Sequence, residues 1–255
     1  MKQQRWFRAG WPPLVVVILL LLIWQLVVTW GGTASWLLPS PLKIWQDGTT
    51  DMPRVWMHTF ATFRLMLIGF FVGVTIGAIV ASCLHRVPVL KAGFYPLLIL
   101  SQNVPTIALG PLLIILFGFG LLPKVILISL VCFFPVTMST LDGFMQTDRS
   151  MYNYMQMIGA SKRQIFYKLE LPHALPALFT GLKISATYSV MGAVIAEWLG
   201  GGVGLGYYMI LQKSAFRADR EFVAIFIIVV LSLLFFWLIA GLEKLIIRWN
   251  AKRSS

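Results

Sequence analysis

Long apolar runs separated by short polar stretches organise this chain. Apolar residues dominate near 12–30, 58–84, 92–117, 121–141, 173–198 and 221–245. A helix needs roughly 20 such residues to cross about 30 Å of hydrocarbon. Unbroken apolarity over that length predicts helix rather than strand. The reading is therefore an all-α integral membrane protein with six transmembrane helices, forming a single membrane domain over 1–255. The stretches between them, chiefly 31–57, 142–172 and 199–220, are too short for a separate soluble domain.

The runs are not uniformly apolar. Gly69, Gly73 and Gly77 recur every fourth residue in the second. Glycines at that spacing share one helix face and admit a neighbouring backbone, so they are assigned to helix packing. In the fifth run Gly181, Ser185, Ser189, Gly192 and Ala196 form a similar strip, which either packs a helix or lines a solute path. Pro105 and Pro111 interrupt the third run. A proline removes a backbone donor, and unwound backbone in a membrane survives only where protein or a wet cavity satisfies it. Residues 101–105 are thus a pore candidate, with Gln102 and Asn103 as solute contacts and Tyr188 of the fifth run as a third. Glu197 ends that run as a gate or as an acceptor for the glycine turn that follows; intramembrane carboxylates are expensive and need a partner. Arg64 can pair with it or snorkel. Lys183 is expected to snorkel. The candidate path is Gln102, Asn103, Pro105, Ser185, Tyr188, Ser189, Gly192 and Glu197.

Composition agrees with a lipid solvent. Of 255 residues 58% are hydrophobic and 12% charged, against roughly 25% charged in soluble domains. The net charge is +12, yet no basic soluble domain exists to bind nucleic acid, and the cations flank the runs. Lys2, Arg5 and Arg8 precede the first run, which Trp24 and Trp30 bound like an uncleaved anchor. With the N-terminus inside, thirteen Lys and Arg fall on the inner side and six outside, Arg64 and Lys183 lying within spans. That bias puts both termini and the 142–172 loop in the cytoplasm. Cys83 and Cys132 lie in apolar runs and are read as packing residues. His58, His85 and His173 are too scattered to predict a metal site.

No catalytic residue is expected either. Gly159-Ala160-Ser161-Lys162-Arg163 lacks the last glycine of a serine-hydrolase elbow. No Gly-Lys-Ser/Thr occurs, so the chain lacks a Walker phosphate loop. The run Gly200–Gly206 lacks the dinucleotide-binding spacing and reads as a flexible outer turn. If the chain moves a solute, the energy would come from a partner or from a gradient, the latter making this a secondary carrier or channel.

The 142–172 loop is polar but helix-forming. Thr147 or Ser150 can cap a helix running to Ile158, and Gly159 suits its end. Ser161 with Gln164 fits a capping box. A second short helix is expected to stop before Leu171-Pro172. The result would be a stiff knob, docking Met155, Met157, Ile158, Ile165 and Phe166 on a partner, with Lys162, Arg163 and Lys168 toward solvent or acidic partner residues.

This skeleton of helix, Gly159-Ala160-Ser161, helix and Leu171-Pro172 resembles the coupling loop of bacterial ABC importer permeases of the type I, binding-protein-dependent kind. The Glu-Ala-Ala that opens that family's motif is replaced here by Asn153, Tyr154 and Met155. Leu38-Pro39-Ser40-Pro41, Pro105 to Pro111 with Phe117-Gly118, and Ala196 to Gly200 followed by Gly204-Leu205-Gly206 are similar to the nitrate, sulfonate, taurine and thiamine-precursor branch. Residues Ala186 to Trp198 are most similar to permeases for pyrimidine thiamine precursors. The resemblance implies a bacterial inner-membrane permease with the type I fold and no cofactor of its own. It implies a homodimer of this chain, two cytoplasmic subunits that bind ATP-Mg, and an external solute-binding protein. The coupling contact would then comprise Met155, Ile158, Gly159, Ala160, Ser161, Gln164, Ile165, Phe166, Leu171 and Pro172.

Overall fold

The computed structural model describes residues 2–34 and 36–247, and among these the regular structure is entirely helical. In chain order the helices are α1 (Lys2–Trp30), α2 (Pro41–Thr50), α3 (Met52–Arg86), α4 (Pro88–Ser101), α5 (Thr106–Phe117), α6 (Leu121–Met145), α7 (Arg149–Met157) and α8 (Lys162–Ile165). A wider π-type turn (Phe166–Glu170) then leads into α9 (Leu171–Gly200), followed by α10 (Leu205–Ser214) and α11 (Ala218–Ile246). Arg248, Lys252 and Arg253, counted above for orientation, lie outside the described residues.

Of the six expected spans, four are continuous helices long and apolar enough to cross a membrane: Met52–Arg86, Leu121–Met145, Lys162–Gly200 and Ala218–Ile246. The first corresponds to the shorter apolar stretch Val15–Trp30 of α1. The third is α4 and α5, bent by 101° at the break between them. The break falls before Pro105, while Pro96 and Pro111 sit inside their helices; the expectation that Pro111 also interrupts is corrected. Local bonds satisfy the unwound N–H groups, Gln102 N donating to the Leu98 carbonyl at 3.3 Å, and Asn103 N and Val104 N to those of Leu100 and Ser101 at 3.2 Å. Asn103 Nδ2 donates to the Ile99 carbonyl at 2.8 Å, and Ser101 Oγ to that of Leu98 at 3.0 Å.

The centre is α6, clasped by α3 on one side and α9 on the other. A Cβ on Gly69 would sit 2.4 Å from Ile128 Cγ2, one on Gly73 2.4 Å from the Ser129 carbonyl oxygen, and one on Gly77 2.9 Å from the Phe133 carbonyl oxygen. The backbones of α3 and α6 therefore touch where side chains would normally intervene. Ser129 Oγ and Thr137 Oγ1 of α6 donate to the Gly69 and Gly77 carbonyls at 3.2 and 3.3 Å. Across the other seam a Gly181 Cβ would lie 2.8 Å from the Pro135 carbonyl oxygen, and Ser185 Oγ donates to the Cys132 carbonyl at 2.8 Å. In lipid, where apolar burial drives little, such close contact and interhelical bonds hold the bundle. Met66, Phe70, Ile128, Cys132, Ala186, Val190 and Ala193 fill the core between the three helices.

Helix α1 packs through Trp24 on Phe222 and Phe226 of α11. Residues Val15–Ile23 are otherwise exposed, as a lipid-facing surface requires. Lys183 does not snorkel: its Nζ lies 2.9 Å from Glu243 Oε2 of α11. Two charges in neighbouring spans neutralise each other, which removes the cost that would drive either toward water.

Candidate functional site

Two polar assemblies stand at opposite ends of the bundle. The first is the knuckle of α7, α8 and the π turn. Asp148, rather than Thr147 or Ser150, caps α7, accepting from Ser150 N at 2.8 Å and Met151 N at 3.4 Å. A carboxylate at a helix N-terminus gains from the dipole as well as the hydrogen bonds. Gly159 follows with φ +79°. Its N–H donates to the Gln156 carbonyl, and that of Ala160 to Met155, both at 3.0 Å. This is a Schellman stop, whose left-handed residue is most cheaply glycine. The capping box forms as expected, with Ser161 N donating to Gln164 Oε1 at 2.8 Å and Gln164 N to Ser161 Oγ at 3.3 Å.

The second short helix does not end at Pro172. It passes through the π turn into α9, and Leu171 N donates to the Phe166 carbonyl, five residues back. The wider turn accommodates a proline that has no N–H to offer and whose ring crowds the preceding turn. A second correction concerns the docking face. Ile165 and Phe166 are buried within this chain, 1% and 6% exposed, whereas Met157 and Ile158 are 79% and 63% exposed. Phe166 packs instead with Phe144 and Ala174. Met155 and Ala160 are half-buried, Leu171 and Pro172 likewise, and Gly159, Ser161 and Gln164 are exposed.

Helix α3 grips the knuckle from the side. His85 Nε2 lies 3.1 Å from Glu170 Oε1. The His85 ring stacks on Phe144 at 4.5 Å with a 13° interplanar angle, and the Arg86 guanidinium sits 3.9 Å over Phe166. The knuckle is thus continuous with α9 and clamped to α3 and α6. Nothing in the loop's own sequence points to His85 or Arg86.

The second assembly surrounds Glu197, which is fully buried. Its Oε1 accepts from Thr62 Oγ1 at 2.8 Å and its Oε2 from Gly206 N at 2.8 Å. Thr62 Oγ1 also accepts from Leu205 N at 2.7 Å, and His58 Nδ1 from Gly204 N at 3.0 Å. Helix α10 carries no cap of its own. Three successive N–H groups at its start are satisfied by α3 and α9, and a carboxylate faces the positive end of its dipole. The expected flexible turn is therefore pinned: a Cβ on Gly204 would overlap the Glu197 carboxylate, and one on Gly206 would lie 2.5 Å from the Val194 carbonyl oxygen.

Further ties close this end. Tyr208 OH donates to Asp51 Oδ2 at 3.1 Å, which also meets Arg220 Nη1 at 3.2 Å. Arg217 bridges Asp219 at 3.0 Å and Asp47 at 3.5 Å. Burial and the Asp51 carboxylate push the Tyr208 hydroxyl up to about 12. His58 and Thr62 stand four apart on one helix face; that spacing, beside a lone carboxylate and a Gly-Leu-Gly turn, was the available signal for this assembly.

The candidate path residues do not come together. Ser185, Ser189, Gly192 and Glu197 are buried, the first three in the packed seams of α9 and the last in the α10 cap, so none faces an open path here. Gln102, Asn103 and Pro105 at the α4–α5 break are exposed, as is Tyr188 on the free face of α9. Arg64 makes no ion pair with Glu197. It lines a cavity of about 530 Å³ between α3 and α6 together with Phe60, Ile68, Leu121 and Lys124, the last donating to the Gly201 carbonyl at 2.5 Å.

Comparison with known proteins adds an independent line. Residues 73–248 match the family model described as binding-protein-dependent transport system inner membrane component. A probable ABC transporter permease of Haemophilus influenzae is 35% identical over 221 residues, 87% of this chain and 90% of that one. A formylaminopyrimidine transport permease of Halalkalibacterium halodurans is 34% identical over 243 residues, covering 94% and 96%. A riboflavin transport system permease of Chloroflexus aurantiacus is 33% identical over 251 residues, covering 96% and 93%. Permeases named for aliphatic sulfonates, taurine and nitrate match at 26%, 27% and 25%. The crystal structure of an amino acid ABC transporter with histidines superposes with a TM-score of 0.63 at 15% identity, covering 80% of this chain and 97% of that one.

Proposed function

Since the chain belongs to the family of inner membrane components of binding-protein-dependent transport systems, as a permease of the nitrate, sulfonate, taurine and thiamine-precursor branch with the type I importer fold, we propose that it gates solute import under the power of a separate ATPase. In this reading two copies form the path, two cytoplasmic subunits bind ATP-Mg, and an external binding protein delivers the solute. Both termini and the knuckle face the cytoplasm. Met157, Ile158 and half-buried Met155 are the apolar contact to the ATPase. Gly159, Ala160, Ser161 and Gln164 set its shape, and Ile165, Phe166, Leu171 and Pro172 anchor it to the bundle.

The observation that carries this reading is the combination of a stiff, capped knuckle with exposed apolar residues at its tip and a clamp at its base. Exposed Met157 and Ile158 on a polar surface call for a partner, and a knuckle capped at both helix starts transmits force without bending.

For the solute, the relatives at 33–34% identity are named for formylaminopyrimidine and riboflavin. We assign a nitrogen heteroaromatic solute, a pyrimidine thiamine precursor first. Gln102 and Asn103 at the exposed break can hydrogen-bond such a ring, and Tyr188, at a separate exposed position on α9, can stack on it at another stage of its passage.

The test is uptake of labelled formylaminopyrimidine into vesicles holding this chain with its ATPase and binding protein. Uptake should need all three components and ATP. Accumulation by this chain alone would overturn the ATPase reading. ATP-driven uptake of taurine but not the pyrimidine would overturn the solute assignment only.

A further inference from the structure

A groove of about 790 Å³ opens between the end of α3 and the knuckle. Arg86, Lys162 and Arg163 line it beside Tyr152 and Tyr167. The one carboxylate in its wall, Glu170, is held by His85 at 3.1 Å. None of the three cations has an ion pair among the described residues. Arg86 lies over Phe166 at 3.9 Å and Arg163 over Tyr167 at 5.9 Å, so both guanidinium groups keep their donor edges for a ligand. Three cations against the single Glu170 carboxylate leave the groove net positive.

Its place in the fold decides what neutralises it. Arg86 is the last residue of a membrane-spanning helix and Pro88 the first of the next. The neighbouring Val87, Val89 and Leu90 are 41%, 82% and 42% exposed. Cations, tyrosines and bare aliphatic side chains thus meet at one rim, the pattern of a membrane–water boundary. Basic pockets between membrane helices at that depth suit anionic lipid headgroups. A docked protein segment would neutralise the cations yet leave Val89 in water, and Met157 and Ile158, the surface free for a protein, are not part of the groove wall.

We propose that this groove binds the phosphate headgroup of an anionic phospholipid, with its acyl chains over Val87, Val89 and Leu90. A single headgroup spans α3 and α8 and tethers the knuckle to the bilayer surface. The site does not depend on what is transported.

The test uses the purified full-length chain in nanodiscs of phosphatidylcholine with and without phosphatidylglycerol, and counts lipid retained after detergent release by native mass spectrometry. The wild type should retain phosphatidylglycerol over phosphatidylcholine. Arg163→Gln should weaken that preference about fivefold, and Arg86→Gln with Arg163→Gln together by more than tenfold. Lys213→Gln, at the far end, should leave it unchanged. Thermal unfolding in phosphatidylcholine alone checks that each variant folds, and the exposed Arg163 single variant keeps the test valid if the double variant does not. Equal retention of the two lipids by the wild type, or an unaltered preference in Arg163→Gln, overturns the proposal. So does displacement by millimolar inorganic phosphate, which would mark a free-anion site. Displacement by an added ATPase subunit would mark a protein surface and equally overturn it.

Discussion

Replacing Glu197 is the sharpest probe of the far-end assembly. Alanine at 197 leaves the buried Gly206 N–H, now 2.8 Å from Oε2, with no acceptor, which costs roughly 1–3 kcal/mol. It also removes the carboxyl group that faces the positive end of α10, worth up to about 2 kcal/mol in a buried geometry. Relief of the carboxylate's own desolvation offsets part of this. Thr62 limits the damage, because its hydroxyl keeps Leu205 N at 2.7 Å and can still donate to the His58 carbonyl at 3.2 Å. The net loss is about 3 kcal/mol. For a chain of this length 1 kcal/mol moves the midpoint by roughly 2–4 °C, so Glu197→Ala should unfold about 6–12 °C below wild type. Glu197→Gln keeps one carbonyl acceptor but turns an amide group toward the other donor, and should fall between the two. Thermal unfolding of the purified chain in detergent, followed by intrinsic fluorescence, reads all three. An alanine variant as stable as wild type would refute the assignment of Glu197 as the structural cap of α10, as would a glutamine variant weaker than alanine.

Three further outcomes test other parts. Gly73→Ala would place a methyl 2.4 Å from the Ser129 carbonyl oxygen and should cost about 1–3 kcal/mol; Gly93→Ala, with nothing within 4 Å, should be neutral or stabilise by up to about 1 kcal/mol, and melting curves of the pair separate packing from propensity. Lys183→Met and Glu243→Gln should each destabilise by stranding a charge beside its 2.9 Å partner site, and the double variant should recover part of the loss, with a coupling energy of roughly 0.5–3 kcal/mol in a double-mutant cycle. Gly159→Ala meets no neighbour within 4 Å at φ +79° and should cost about 1–2 kcal/mol in strain. Gly159→Pro cannot adopt that φ and should abolish transport and solute-stimulated ATPase activity in the reconstituted complex while membrane insertion, read by fractionation, is unchanged.

What was legible in the chain was whatever a single helix carries on its own. The Gly69, Gly73, Gly77 repeat encodes a close seam because spacing alone puts three missing side chains on one face. The Ser161–Gln164 box is four residues long and self-contained. Features that need two distant segments were not legible. Glu197, His58 and Thr62 meet only after α3 and α9 are both packed on α6, and α10 reads as a loop until their side chains supply its missing cap. Pro172 suggested a stop because proline usually ends a helix; that a π turn would carry the chain through it depends on Phe166 being held beneath Phe144 and Arg86. The serine strip of α9 was ambiguous in kind, since a small polar face suits both a seam and a wet path, and only its burial against α6 decides.

The two assemblies are joined by one stiff element, and that constrains how motion can pass between them. Helix α9 has 30 residues, about 45 Å at 1.5 Å per residue, running from the π turn past Glu197 to Gly200. It is fastened to α6 at Ala174 and Ala177 on Gly143, Gly181 on Pro135, Ser185 on Cys132 and Gly192 on Ile128. A displacement of the knuckle therefore carries α9 and α6 together. Helix α3 must follow, because His85 and Arg86 hold its near end while His58 and Thr62 hold its far end. The four-residue break between α4 and α5 lies outside this welded set: it is bent by 101°, is bonded mainly to its own preceding turn, and leaves Gln102 and Asn103 exposed. Relative movement within the chain thus concentrates at residues 102–105. Crosslinking α6 to α9 should then be tolerated, whereas a crosslink fixing the bend between α4 and α5 should stop transport; normal uptake with that bend fixed would contradict the rigid-body argument.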